Sequence, residues 1–290
     1  METFVFESEA DGLALRGYRW PVDAPVATVQ IAHGLAEHAP RYDRLAQALN
    51  DAGYDVWAND HRGHGESVDA VTPHGDFGAG GWSGLVADVV QLAGVVAAER
   101  PEMPHFLIGH SMGSFASQLA ILDHSATWDG VVLSGSTAID VLAAALPAPE
   151  EGADDAGDLS AFNAGFEYRT GFEWLSRDKD EVDAYVADPL CGFPAAPDVL
   201  PSLLGSGART GDPAQLAAIR PDLPVLIVSG QDDPLAGQGQ LLEVLAARYR
   251  EAGLTDVDLE VYPGARHEVF NETNRDEVTT RVVTWLDAHR

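Results

Sequence analysis

Cysteine and lysine are nearly absent from this chain, and each scarcity excludes something. Cys191 is the single cysteine among 290 residues, so no intrachain disulfide can form. That agrees with a reducing compartment, and a cytoplasmic location is the expectation. Its surroundings, Asp188-Pro189-Leu190-Cys191-Gly192-Phe193, hold no neighbouring base, so a packed thiol is expected there rather than a nucleophile. Lys179 is the only lysine. Seventeen basic residues face 46 acidic ones, for a formal net charge of −29. Such a surface repels nucleic-acid phosphates and anionic membranes, so neither is an expected partner. The acids are scattered, which reads as a highly solvated surface and fits salt adaptation or an acidic proteome. No basic segment followed by an apolar one opens the sequence, so no signal peptide is expected. The longest apolar run, residues 89–98, is broken by Gln91 and falls short of the ~20 residues that span a bilayer. Stable membrane insertion is therefore not expected.

What is present is ample core material, with 46% hydrophobic residues. Apolar runs at 27–31, 55–58, 105–108 and 130–133 alternate with helix-like segments at 42–52, 82–99 and 114–124. This alternation predicts a mainly parallel sheet with crossover helices. Residues 3–20 alternate in polarity and predict an antiparallel edge hairpin. The pattern stops at about residue 138. Residues 138–221 are rich in Ala, Pro, Gly and Asp and predict a mostly helical insertion. Strand-like runs resume at 224–228 and 257–262, and a helix over 275–289 ends the chain. The expected organisation is an α/β core in two parts, 1–137 and 222–290, interrupted by a helical cap at 138–221.

Gly109-His110-Ser111-Met112-Gly113 lies between a predicted strand and a predicted helix. That turn strains the backbone of its central residue and exposes the Ser111 hydroxyl, while the glycines let neighbouring backbone approach. A serine hydroxyl needs a base and a group to orient it. His267, in Gly264-Ala265-Arg266-His267-Glu268, is the only histidine between His124 and His289 and follows the last strand. The turn Ser229-Gly230-Gln231-Asp232-Asp233-Pro234 supplies the carboxylate, with Asp233 favoured over Asp232. Two N–H donors are needed for an oxyanion. Met112, after the serine, gives one, and Leu35, in His33-Gly34-Leu35-Ala36-Glu37-His38, is the expected second. His33, His38, His61 and His64 raise the question of metal. No His-Glu-x-x-His helix and no cysteine pair accompany them, so loop-stabilising hydrogen bonds are expected of them, and of Asp60 and Arg62, rather than a metal site.

These motifs together, with Arg41-Tyr42, Asp60-His-Arg-Gly-His-Gly-Glu-Ser67 and Asp188-Pro-Leu-Cys-Gly-Phe193, resemble the monoacylglycerol lipase and lysophospholipase branch of the α/β-hydrolases. The resemblance covers nearly the whole chain and is weakest at 142–157. It implies the α/β-hydrolase fold with a helical cap, no cofactor, and a Ser111–Asp233–His267 triad with Leu35 and Met112 as oxyanion donors. It also implies ester hydrolysis through an acyl-enzyme, with monoacylglycerols or lysophospholipids as the substrate class and dispersed or short-chain esters a further possibility given the acidic surface. The cap aromatics Phe162, Phe166, Phe172 and Trp174 are expected either to line an apolar substrate pocket or to glue the cap to the core. The rival readings are a cofactor-free perhydrolase of haloperoxidase type, a proline aminopeptidase-like peptidase on the same triad, and a non-catalytic binding protein.

Overall fold

The computed structural model describes residues 1–146 and 159–290. The first strands, β1 (Glu2–Glu7) and β2 (Ala14–Trp20), form the expected antiparallel hairpin at one edge. There follow β3 (Ala27–Ala32), α1 (Asp43–Asp51), β4 (Tyr54–Asn59), α2 (Gly81–Glu99), β5 (His105–His110), α3 (Met112–His124) and β6 (Gly130–Ser134). The chain returns to the sheet at β7 (Val225–Gly230) and β8 (Val257–Tyr262). The strand order is β1-β2-β4-β3-β5-β6-β7-β8. From β4 to β8 every pairing is parallel, and β2 joins β4 antiparallel.

Every residue of β3 through β7 is buried, as a sheet covered on both faces requires. Alternate side chains feed two cores. Phe106, Ile108 and Val132 face α1 and the terminal helix, while Leu107, Val131 and Leu133 face α2 and α3.

Between β6 and β7 lie α4 (Ile139–Ala145), α5 (Lys179–Ala187), α6 (Val199–Gly205), α7 (Gly207–Thr210) and α8 (Pro213–Leu216). Among the described residues this stretch contains no strand, but α-helix covers less than half of it and the rest is largely turn and loop, so it is less helical than expected. Of the stretch 142–157, where the resemblance is weakest, residues 147–158 lie outside the described residues.

Two features differ from the sequence reading. Helix α9 (Gln240–Glu251), between β7 and β8, was not among the expectations, although Leu242, Leu245, Ala246 and Tyr249 bury at helical spacing. The last helix, α10 (Arg275–His289), was. The other difference is α2, whose full 19 residues are long and apolar enough, by length and composition alone, to cross a membrane. The apolar run at 89–98 is only part of it. In the fold, α2 is a core helix. Leu85, Val89, Leu92 and Val96 are buried, and its Asp88 carboxylate is buried against Arg62 and Ser8.

Candidate active site

Ser111 occupies the turn from β5 to α3 with φ 52° and ψ −120°, a left-handed conformation that costs an L-residue energy. The surroundings hold it there. Its N–H donates to Ser134 O at 2.9 Å, and its carbonyl accepts from the N–H groups of Ser114 and Phe115. Glycine is required at 113 because a Cβ there would collide with the carbonyl oxygens of Ala32 and His33. The turn is thereby packed against the end of β3, where the Gly34–Leu35 loop begins.

Asp233 follows β7, and its buried carboxylate is fully engaged. Oδ1 accepts the Leu235 N–H at 2.9 Å, while Oδ2 accepts the Ser229 hydroxyl at 3.0 Å and lies 2.9 Å from His267 Nδ1. Asp232 is only half-buried and engages the histidine loop through its backbone, donating to Ala265 O. The carboxylate that meets the imidazole is thus Asp233.

The His267 ring is clamped. Trp174 packs on it with ring centroids 4.8 Å apart, and His110 at the same distance. Gly135, at φ 54°, passes so close that a Cβ would approach Cε1 of both His267 and His110 within 2.9 Å. Burial alone would push the imidazole to a lower pKa. The charge of Asp233 and the hydrogen bond to it, with Glu268 and Glu37 further out, outweigh burial, and the net displacement is upward from 6.5. His110 has no such partner, and burial, with His267 beside it, lowers it to about 4.

Leu35 and Met112 lie beside Ser111 and His267 on one cavity. Among the described residues neither the Leu35 nor the Met112 N–H has an acceptor within the protein. The Gly34 N–H, in contrast, is committed to Glu37 Oε1 at 2.5 Å. Glu37 also accepts the Tyr42 hydroxyl and one arm of Arg41, and Arg41 grips Glu268 with two bonds of 2.7 and 2.8 Å. This buried chain of charges ties the 33–38 loop to the loop that carries His267. Sequence reasoning missed it because Glu268 lies 227 residues beyond Arg41.

Of the clustered histidines, His33 and His64 hold loops through both ring nitrogens, whereas neither ring nitrogen of His61 has a partner among the described residues, contrary to expectation. His33 Nδ1 bonds Gly34 O, leaving Nε2 to accept the His61 N–H, and His64 Nδ1 bonds Arg62 O, leaving Nε2 to accept the Ala36 N–H. Burial lowers both His33 and His64 to about 3, so both are neutral, as those acceptor roles demand. Asp60 accepts from Tyr18, Ala39 and Glu66, and Arg62 is fully buried against Asp88 and Asp11. Cys191 is half-buried, and burial pushes its thiol well above the usual range.

The four cap aromatics divide. Phe162 and Trp174 line the cavity, their rings 5.2 Å apart. Phe166 and Phe172 do not, which corrects that part of the expectation. Phe166 lies under the Arg266 guanidinium, and Phe172 packs on Tyr185. In their place Leu142, Leu146, Leu159, Leu200, Leu203 and Leu204 make the walls, contributed mainly by α4 and α6. These leucines sit in the alanine-, proline- and glycine-rich cap, where no periodicity marks an inward face. The cavity lining is mostly apolar, and Glu37, His110 and Glu268 are among its few polar groups.

The chain is similar to known hydrolases over most of its length. The family model described as serine aminopeptidase, S33, matches residues 23–274. The chain is 34% identical over 276 residues to a monoacylglycerol lipase of Mycolicibacterium smegmatis, covering 93% of this chain and 91% of the relative. It is 33% identical to the monoglyceride lipase of Rattus norvegicus, covering 97% and 89%. Among solved structures, a thermostable carboxyl esterase from Bacillus coagulans in complex with glycerol superimposes with a TM-score of 0.84 at 27% identity, covering 99% and 98%.

Proposed function

The chain belongs to the serine aminopeptidase S33 family of α/β-hydrolases, and from that premise we propose that it is a carboxylic ester hydrolase of the monoacylglycerol lipase type. Ser111 is the nucleophile, His267 the general base, Asp233 its orienting carboxylate, and the Leu35 and Met112 N–H groups the oxyanion donors. His267 takes the Ser111 proton as Oγ attacks the ester carbonyl. The tetrahedral oxyanion lies against the two N–H groups, each worth about 3 kcal/mol. The same imidazole returns the proton to the departing alcohol, leaving an acyl-enzyme. Water, deprotonated by His267, then releases the acid and frees Ser111.

The observation that carries this reading is the 2.9 Å contact between His267 Nδ1 and Asp233, set on the same leucine-lined cavity as Ser111. The apolar wall suits an acyl chain, and the polar groups beside Ser111 suit a small hydroxylated head such as glycerol. A monoacylglycerol has both parts. Among the described residues, the carboxylates that line the cavity, Glu37 and Glu268, are both engaged by Arg41, so neither is free to hold a substrate's N-terminal ammonium.

The test is a panel of p-nitrophenyl and glycerol monoesters of increasing chain length, with proline anilide alongside, run on wild type and Ser111→Ala. Ester turnover should fall by about four to six orders of magnitude in the variant. Equal rates in the two proteins, or anilide cleavage outpacing ester cleavage, would refute the proposal.

A further inference from the structure

His38, Asp188 and Cys191 are used by no step above, yet the fold brings them together from positions 150 and more apart. His38 ends the loop that carries Leu35, and Asp188 and Cys191 form the cap turn just after α5. One ring nitrogen of His38, one carboxylate oxygen of Asp188 and the Cys191 sulfur all lie within 4.8 Å of one another. We infer that these three side chains form a site for a zinc-like divalent cation that clasps the cap to the 33–38 loop.

The ligand atoms stand within about an ångström of the spacing such an ion needs. A tetrahedral centre with bonds of about 2.0–2.1 Å to nitrogen and oxygen and about 2.3 Å to sulfur sets its ligand atoms roughly 3.3–3.7 Å apart. The His38 Nε2 to Asp188 Oδ2 separation is 2.8 Å, so that pair opens by about half an ångström. The turn is already shaped for it. Asp188 Oδ1 accepts the Leu190 N–H, which leaves Oδ2 facing His38, and the Gly192 N–H and Tyr185 hydroxyl both anchor this cap segment to Ala36 O at 2.9 Å. The His38 side chain is nine-tenths buried and turns Nε2 toward Asp188.

The donor set chooses the metal. Imidazole and thiolate favour zinc and its borderline-soft neighbours over magnesium or calcium. The Asp188 carboxylate and the Cys191 thiolate balance two positive charges. The Sγ–H proton passes to solvent on binding, so affinity rises with pH. Asp188 is about one-third exposed, which gives the ion an entry path and leaves the fourth position to water.

Cobalt(II) tests this directly, because a thiolate bound to cobalt gives a near-ultraviolet charge-transfer band and Cys191 is the only thiol in the chain. Titration of the full-length protein should produce that band, saturating at one equivalent. Zinc should displace it, and it should vanish in Cys191→Ser and weaken at least tenfold in His38→Ala. No band in the wild type, or a band unchanged in His38→Ala, overturns the assignment. Should the variants fail to fold, thiol labelling of the wild type decides. Zinc should slow the reaction of Cys191 with a disulfide reagent more than tenfold while magnesium does not, and equal rates would sink the idea. Neither readout depends on ester hydrolysis.

Discussion

Asp233 Oδ2 lies 2.9 Å from His267 Nδ1 and 3.0 Å from the Ser229 hydroxyl, so one oxygen both receives the imidazole and is itself held from the strand behind it. The contact raises the imidazole pKa against burial. A general base must be unprotonated, so kcat/KM should climb with pH through a midpoint above 6.5. Asp233→Asn removes the charge, should lower that midpoint, and should cost about 10⁴ in kcat. A pH–rate profile on both proteins checks the sign, and an unmoved midpoint would count against the pairing.

Glu37 accepts the Gly34 N–H and thereby fixes the turn on which Leu35 N–H is presented. Glu37→Gln keeps the shape but strips one carboxylate from the buried Arg41. The loop should loosen by a fraction of an ångström. Since misplacement of about 1 Å costs about 10²-fold, kcat should fall roughly 10- to 100-fold with KM little changed. Were KM to rise with kcat intact, Glu37 would act on substrate affinity rather than on loop position.

The core strands and the Ser111 turn were legible in the sequence, whereas most of the cap and the long-range ion pairs were not. Strands β3, β5 and β6 are mostly apolar and bounded by turns, and Ser111 sits in a glycine-flanked turn between a strand and a helix. His267 could be found by elimination, as the only histidine in its part of the chain. In the cap the helices are seven or nine residues or a single turn, too short to show a period, so Leu203 and Leu204 could not be assigned to a cavity wall, nor Phe166 and Phe172 removed from it. Arg41–Glu268 and His38–Asp188 join residues far apart in sequence, and only the tertiary fold reveals such pairs.

Leu203 is buried on α6 and faces the cavity. Leu203→Trp fills the acyl wall without touching Ser111. Activity on long-chain monoesters should drop at least about tenfold relative to butyrate, whereas butyrate turnover stays near wild type. A uniform loss across chain lengths would place Leu203 in folding rather than in substrate selection.

The buried histidines predict acid lability. Burial holds His33 and His64 at about 3 and His110 at about 4, all below the 6.5 of an unfolded chain. A depressed histidine contributes stability that is whole above pH 6.5 and is lost as pH falls toward its folded value. His267, raised instead, contributes stability that is whole below 6.5 and fades as pH rises through its folded value. Urea midpoints should therefore fall steadily from pH 6.5 to pH 4.5, and a flat profile over that window would exclude the histidine cluster as the cause.

The net charge of −29 predicts salt dependence. Repulsion among 46 carboxylates disfavours the compact state, and it is long-ranged. Raising potassium chloride from about 0.1 M to about 1 M shortens the screening length from about 10 Å to about 3 Å and removes most of that repulsion. The same salt weakens exposed ion pairs such as Arg209–Asp123, but such pairs are worth at most about 1 kcal/mol each. Pairs buried at the site, including Arg41–Glu268, are screened far less. The two effects oppose each other, and at this charge imbalance relief of repulsion dominates. The thermal midpoint should rise by more than about 5 °C across that range. Differential scanning calorimetry in a potassium chloride series measures it. A midpoint that stays level or falls would mean that the acidic surface is fully compensated by its local pairs.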